Sequence, residues 1–309
     1  MISESQLHPD LSDTFRFLPV LPYYHRSMIP FGRTIYNASS GTKVEFGVSV
    51  KEYSVEHLCL RVFEPLTGSN GAAVLWIHGG GFVAGTTQQV NDVASRFARW
   101  LSASIVTVEY RWAPRDPFPA ALDDVFHAWQ WILEQEVYDN DRIAILGQSA
   151  GGGLAASLVQ RIHDEGGPQP VAQVLHYPML DDRTAANRQL DKNKYKLWTN
   201  HVNRVAWNAY LGGHEAGATS LPQYASAARR KDLSDLPPTW LGVGTFDLFY
   251  KESKSYAERL ETAGVEVETH YVPGAPHVFE VMASDWKGST GFLEATRRFL
   301  KRHLRPAKS

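Results

Sequence analysis

Along most of the chain, short apolar runs alternate with longer amphipathic ones. Residues 73–77, 104–110, 142–146, 171–177, 239–243 and 265–271 are apolar and rich in β-branched side chains, which predicts buried strands. Between them, residues 90–102, 120–136, 151–165, 251–264 and 290–304 are predicted to be helices. Gly264 stands where the fourth of these ends and is available for a left-handed cap. Strand and helix in alternation predict an α/β fold, a mostly parallel central sheet flanked by helices on both faces. Residues 45–50 and 57–63 are expected to add an antiparallel pair at its N-terminal edge.

Two segments break the alternation. Residues 1–40 hold Phe15, Phe17, Leu18, Leu21, Tyr23, Tyr24 and Phe31 without a strand period. Residues 182–238, between two sheet strands, hold Tyr195, Trp198, Trp207, Tyr210 and Leu211. A structureless connection of that length is uncommon in a compact domain. Both segments are therefore expected to be mainly helical and packed together as a cap over the strand ends, where such sheets bind ligands. The plainer alternative is that they cover a sheet face. The resulting division is 1–40 as the first part of the cap, 41–181 as core, 182–238 as the cap insertion and 239–309 as core.

A chain of 309 residues can bury one large core plus a modest accessory layer. Its formal net charge of -2 offers no global attraction to nucleic acid or an anionic membrane, so recognition falls to a local site. Cys59 is the only cysteine, which excludes an intrachain disulfide and a cysteine-rich metal site. Its apolar neighbours predict a buried thiol. The first ten residues lack the apolar centre of a secretory signal. No apolar run approaches the roughly 18 residues of a membrane span. The terminal Ala307-Lys308-Ser309 matches no retention or peroxisomal signal. The expectation is a cytoplasmic protein with no stable membrane anchor.

The sharpest chemical signal is Gly147-Gln148-Ser149-Ala150-Gly151, between a predicted strand and a predicted helix. A nucleophile on a tight strand-to-helix turn needs small neighbours, and Gly147 and Gly151 supply them. The helix also aims its free N–H groups at the serine. Taken alone, the motif also fits a glycine turn with an N-cap serine. A second motif changes the balance: His78-Gly79-Gly80-Gly81-Phe82 follows the predicted strand 73–77 directly. Glycines let the main chain approach a substrate and present N–H groups to an oxyanion. A phosphate-cradling loop is the weaker reading, because no P-loop lysine follows. Gly80, Gly81 and Ala150 are the candidate oxyanion donors. His78 reads as a brace for the loop.

A serine on such a turn is followed in the chain by its acid and then its histidine. Among the twelve histidines, His201, His214, His270, His277 and His303 lie far enough downstream. His270 falls inside a predicted strand, where packing is expected, and His303 in a charged terminal helix, where solvation is expected. His277 falls in the loop after the last strand, where the base belongs. Asp247 follows the strand 239–243 and stands between the serine and histidine motifs. It also suits an N-cap for the helix starting near Lys251. With Ser149 as nucleophile, His277 as base and Asp247 as orienting acid, acyl transfer needs no metal or organic cofactor.

On these residues the chain resembles the hormone-sensitive-lipase-like branch of the α/β-hydrolases, over about residues 45 to 304. The resemblance is carried by the two glycine motifs together with Tyr110-Arg111-Trp112-Ala113-Pro114, Phe118-Pro119-Ala120-Ala121-Leu122-Asp123-Asp124 and Tyr177-Pro178-Met179-Leu180-Asp181, and by residues 207–212. It implies an α/β-hydrolase fold with a helical cap and a cofactor-independent serine carboxylesterase acting on short- to medium-chain esters. A small-molecule ester is the implied partner, and the homodimers common in the family are allowed. The chain departs from the family at Gln148, where aspartate is common. It also departs at Arg115-Asp116, where glutamate-histidine is usual, and at Val278, where glycine is common. The same triad would serve a lactone, carbamate or amide. A non-catalytic receptor of this fold is the alternative from another class; the gibberellin receptors, which resemble this family, lack the histidine that stands here as His277.

Overall fold

The computed structural model describes residues 6–16, 25–39 and 41–306. Every residue of Ala73–Ile77 is buried, because this strand lies inside an eight-stranded sheet with cover on both faces. In chain order the elements are α1 (Ser12–Arg16), α2 (Ile29–Ser39), β1 (Val48–Val55), β2 (Leu58–Pro65), β3 (Ala73–Ile77), α3 (Asn91–Leu101), β4 (Ser104–Glu109), α4 (Ala120–Leu133) and β5 (Ile143–Gln148). There follow α5 (Ala150–Glu165), β6 (Gln173–His176), α6 (Asp182–Ala186), α7 (Asn200–Tyr210), β7 (Thr239–Gly244), α8 (Tyr250–Thr262), β8 (Val267–Val272), α9 (Phe279–Met282) and α10 (Lys287–His303).

The strand order is β1-β2-β4-β3-β5-β6-β7-β8. β1 and β2 pair antiparallel at one edge, β2 pairs antiparallel with β4, and all other pairs are parallel. The carboxyl ends of β3, β5, β7 and β8 therefore emerge on the same side. On one face α3 packs against α10. Beneath them lies an aromatic layer: Phe97 meets Trp76 at 5.2 Å, and Phe292 meets both Trp240 at 5.1 Å and His176 at 4.7 Å. On the other face α4 packs on α5, and Gln160 of α5 donates to the Tyr256 hydroxyl of α8 at 3.0 Å.

The α/β expectation matches this architecture, with element ends displaced by a few residues. Several readings need correction. Residues 45–47 precede the strand, with a turn at 46–47 where Gly47 takes φ +86°. Cys59 on β2 is only partly buried, because its strand is next to the sheet edge. His303 is half-buried against Phe299 at 4.4 Å and not freely solvated. The 182–238 segment is not mainly helical: beyond α6 and α7 it consists of 3-10 turns and loops. Polar anchors stand in for helix there. Asp182 is fully buried and accepts from Arg229 Nε and Nη2 at 2.7 Å each and from Gly217 N at 2.6 Å. Within 1–40, α1 and α2 are helical, and the turn at Arg26–Met28 packs against α7. Phe17, Leu18, Leu21, Tyr23 and Tyr24 lie outside the described residues.

Candidate active site

β5 ends at Gln148 and α5 starts at Ala150, so Ser149 alone makes the turn. Its φ of 54° with ψ of -119° is a sparsely populated conformation for a side-chain-bearing residue, costing about 1–3 kcal/mol. The surrounding hydrogen bonds over-determine it. Ser149 N donates to His176 O at 2.9 Å, and Ser149 O accepts from Met179 N at 2.9 Å and Gly153 N at 3.1 Å. The flanking glycines are sterically required: a Cβ on Gly151 would lie 2.2 Å from the Ile77 carbonyl oxygen. The turn thus presses against the end of β3, and the serine projects from the strand ends.

Ser149 Oγ stands 2.9 Å from His277 Nε2, and His277 Nδ1 stands 2.7 Å from Asp247 Oδ2. All three side chains are buried, at 5%, 4% and 2% exposure. The loops after β5, β7 and β8 bring them together, because those strands end on the same side of the sheet. Asp247 is not the N-cap of α8, a place that Phe249 takes; it stands two residues earlier, in the turn that leads to the helix. Its Oδ1 accepts from Phe249 N at 2.9 Å at the entry to α8, leaving Oδ2 for the histidine. The imidazole is clasped by the edges of Tyr177 at 4.9 Å and Phe249 at 5.2 Å. Val278 turns the chain into α9 with φ +52°. His270, by contrast, lies on β8 stacked with Trp240 at 6.0 Å, and His201 and His214 are exposed.

The glycine loop after β3 runs beside the serine. A Cβ on Gly79 would come within 3.3 Å of Ser149 Cβ. Gly80 O accepts from Val83 N at 3.1 Å and Ala84 N at 3.0 Å, which folds the loop back on itself. His78 is fully buried, stacks on Tyr110 at 4.3 Å and places Nδ1 2.8 Å from Gly79 O. Burial lowers its pKa, which favours a neutral ring. Tyr110 in turn donates to His78 O at 3.0 Å. His78 braces the loop from below.

A cavity of about 420 Å³ opens over Ser149 and His277. Tyr36 from α2 and Leu197 and Trp198 from the 182–238 segment border it, so both segments that broke the sequence alternation reach the site. Val90, Val93 and Leu293 give it an apolar wall, and the Asp92–Arg96 ion pair, at 3.3 Å, lies on the same side. Among the described residues no group of three or more His, Cys, Asp or Glu could hold a metal. No helix among them is long and apolar enough to cross a membrane.

Sequence reasoning missed one cluster. The Trp76 indole donates to Gln148 Oε1 at 3.0 Å, which turns the amide nitrogen toward the Tyr177 hydroxyl at 3.2 Å and Glu280 Oε1 at 3.3 Å. Tyr177 also donates to Glu280 Oε1. Burial pushes the Glu280 carboxyl up to about 7, against the opposing pull of the Tyr177 hydroxyl and the charge of His277. The available signal was an acidic residue alone in the apolar run from Val278 to Met282.

Comparison with known proteins identifies the family. Residues 74–281 match the model of a family described by its alpha/beta hydrolase fold. Esterase LipI of Mycobacterium tuberculosis is 34% identical over 78% of this chain and 75% of its own length. The ethyl acetate hydrolase of Pseudomonas putida is 30% identical over 76% and 74%. The solved structure of a bacterial heroin esterase superposes with a TM-score of 0.90 at 32% identity, covering 98% of this chain and 99% of that one. With the strand order, the glycine loop and the turn at Ser149, these matches place the chain in the α/β-hydrolase family, among its carboxylic ester hydrolases.

Proposed function

We propose that the protein is a serine carboxylesterase for short- to medium-chain esters, working through an acyl-enzyme on Ser149. The observation that carries this is the unbroken, buried chain from Ser149 Oγ through His277 to Asp247, opening on one cavity. Ser149 attacks the ester carbonyl and passes its proton to His277 Nε2. Asp247 holds the ring in the tautomer that leaves Nε2 free to accept and stabilises the imidazolium that forms. The N–H groups of Gly80, Gly81 and Ala150 receive the oxyanion; the last starts α5, where helical N–H groups have no intrahelical partner. Collapse of the tetrahedral intermediate expels the alcohol, protonated by His277. Water, activated by the same imidazole, then releases the acid.

Support for an ester substrate comes from the relatives, an esterase and an ethyl acetate hydrolase. Support for modest size comes from a cavity of about 420 Å³; ligand pockets generally span about 300–1,000 Å³. Residues 1–40 and 182–238 act as the cap that shapes this cavity, through Tyr36, Leu197 and Trp198. The test is hydrolysis of p-nitrophenyl esters from acetate to palmitate by the wild type, Ser149→Ala and Asp247→Asn. Turnover peaking at short chains is expected, with kcat lower by roughly 10⁴-fold or more in both variants. Near wild-type turnover by folded Ser149→Ala would overturn the reading. A folded, inactive wild type on every ester would point to a lactone or amide substrate.

A further inference from the structure

Between α3 and α10 lies a second hollow of about 440 Å³, and it shares two lining residues with the cavity over Ser149: Arg96 of α3 and Leu293 of α10. On α3, positions 92, 96 and 100 stand on successive turns of one face. Asp92 borders only the active-site cavity, Trp100 only the outer hollow, and Arg96 both. On α10, Thr290, Gly291 and Glu294 border the outer hollow alone, while Leu293 borders both. The outer hollow faces solvent, since Trp100 is 37% exposed and Thr290 and Gly291 are exposed. The partition between the two spaces is therefore a single side chain thick on each helix. Leu293 belongs to the core, but Arg96 is lightly held. Its Nη2 meets Asp92 Oδ2 at 3.3 Å, and its Nε is buried with no hydrogen-bond partner among the described residues. Buried donors that staple a fold are normally satisfied. An arginine can instead fill an apolar gap with its methylene stem while its head reaches a polar neighbour.

We propose that Arg96 is a specificity-determining residue: its side chain, with Leu293, plugs the apolar end of the cavity and sets the longest acyl chain that fits there. The proposal rests on the ester reading, with the acyl group carried on Ser149. The chain runs along the buried Val90 and Val93, away from the exposed Val281 and Met282, and ends against Arg96. A longer chain must displace the arginine or leave its last methylenes outside the apolar wall. Each methylene that an apolar pocket admits or rejects changes kcat/KM by about tenfold or more. Removing the plug joins the cavity to the outer hollow and lets the chain pass between α3 and α10.

The test is the ratio of kcat/KM on p-nitrophenyl decanoate to that on the butanoate. It is measured for the wild type, Arg96→Ala, Arg96→Met and the double variant Arg96→Ala/Gly291→Phe, with thermal unfolding as the control for folding. Alanine suits a helix interior, so Arg96→Ala keeps α3, and its ratio should rise by about tenfold or more. Arg96→Met keeps the bulk without the charge, so its ratio should stay near the wild type's. A Cβ on Gly291 meets nothing within 4 Å, which leaves room for a phenylalanine in the outer hollow. That ring blocks the new path and should return the ratio toward the wild type's. An unmoved ratio in Arg96→Ala overturns the proposal. A raised ratio that survives Gly291→Phe overturns it too, because the chain then leaves by another route. A ratio as high in Arg96→Met as in Arg96→Ala would place the effect in the charge and overturn the plug. No turnover of either ester by the folded wild type would instead overturn the esterase reading beneath it, so the two failures are distinguishable.

Discussion

Gly81 and Trp198 meet so closely that a single methyl on the glycine would lie 2.1 Å from Cη2 of the indole. The glycine belongs to the glycine loop after β3, with φ +62°, and the tryptophan to the segment inserted between β6 and β7. The indole is itself held, donating to Asn203 Oδ1 at 3.2 Å. Contact between these two residues is thus where the inserted segment touches the proposed chemistry.

It follows that Gly81→Ala should cripple catalysis while leaving the sheet intact. The alanine must displace Trp198 or the loop, and a displaced oxyanion donor costs about 10²–10³ in kcat. Adding Trp198→Ala removes the clash but not the strain of a positive φ, so recovery should be partial. Steady-state kinetics with a thermal unfolding control decide this. Wild-type rates in Gly81→Ala would show that the loop does not depend on the contact.

Val93 of α3 is 8% exposed and lines the apolar wall of the cavity. Val93→Phe fills that end. We expect kcat/KM on octanoate to fall by about tenfold or more, the scale on which a pocket discriminates a methylene or two. Acetate should be spared. Equal losses on both esters would mean that the acyl chain lies elsewhere.

Asp182 ties the inserted segment to the core through Arg229 and Gly217. Asp182→Ala should cost about 3 kcal/mol, the low end for stripping one partner from a buried pair, since Arg229 is partly exposed. Burial raises the carboxyl's pKa, but the Arg229 hydrogen bonds outweigh it and hold the pKa below its usual value. A depressed folded pKa gives stability that is present above the unfolded value and lost as pH falls through the folded one. Urea unfolding at pH 7 measures the first effect. The difference between wild type and variant should shrink in strongly acidic buffer.

His176 lies fully buried beneath Trp76, Trp240 and Phe292, bonded to Thr296 Oγ1 at 3.0 Å. Burial drives its pKa down to about 3. The unfolded chain takes up a proton near pH 6.5 and the folded chain does not, so stability falls progressively from about pH 6.5 toward 3. His176→Gln, which does not titrate, should flatten the thermal-midpoint profile between pH 7 and pH 4. A profile as steep as the wild type's would place the acid sensitivity in other groups.

The strands were legible because burial on both faces demands unbroken apolar runs, and β3 is one from end to end. The helices were legible because their spacing repeats locally. The inserted segment was misread as mainly helical because its order comes from long-range polar anchors. Asp182 bonds Arg229 across 47 positions, and no local window contains that pair.

At the site, motif and chain order alone single out Ser149, Asp247 and His277, since a strained turn needs its glycines and a parallel sheet delivers successive loops to one end. The sequence could offer Asp247 as either cap or acid; only the folded chain shows that Phe249 is the cap of α8, with one Asp247 oxygen on Phe249 N and the other beside His277. Glu280 was invisible for a related reason. A lone acidic residue in an apolar run acquires meaning only from what surrounds it. Gln148 and Tyr177 come to it from β5 and from the end of β6, 132 and 103 positions away. Local pattern determines which residues form strands, helices and turns, because those choices depend on near neighbours. Which side chains share a proton or a charge depends on packing between distant segments, and tertiary structure alone decides that.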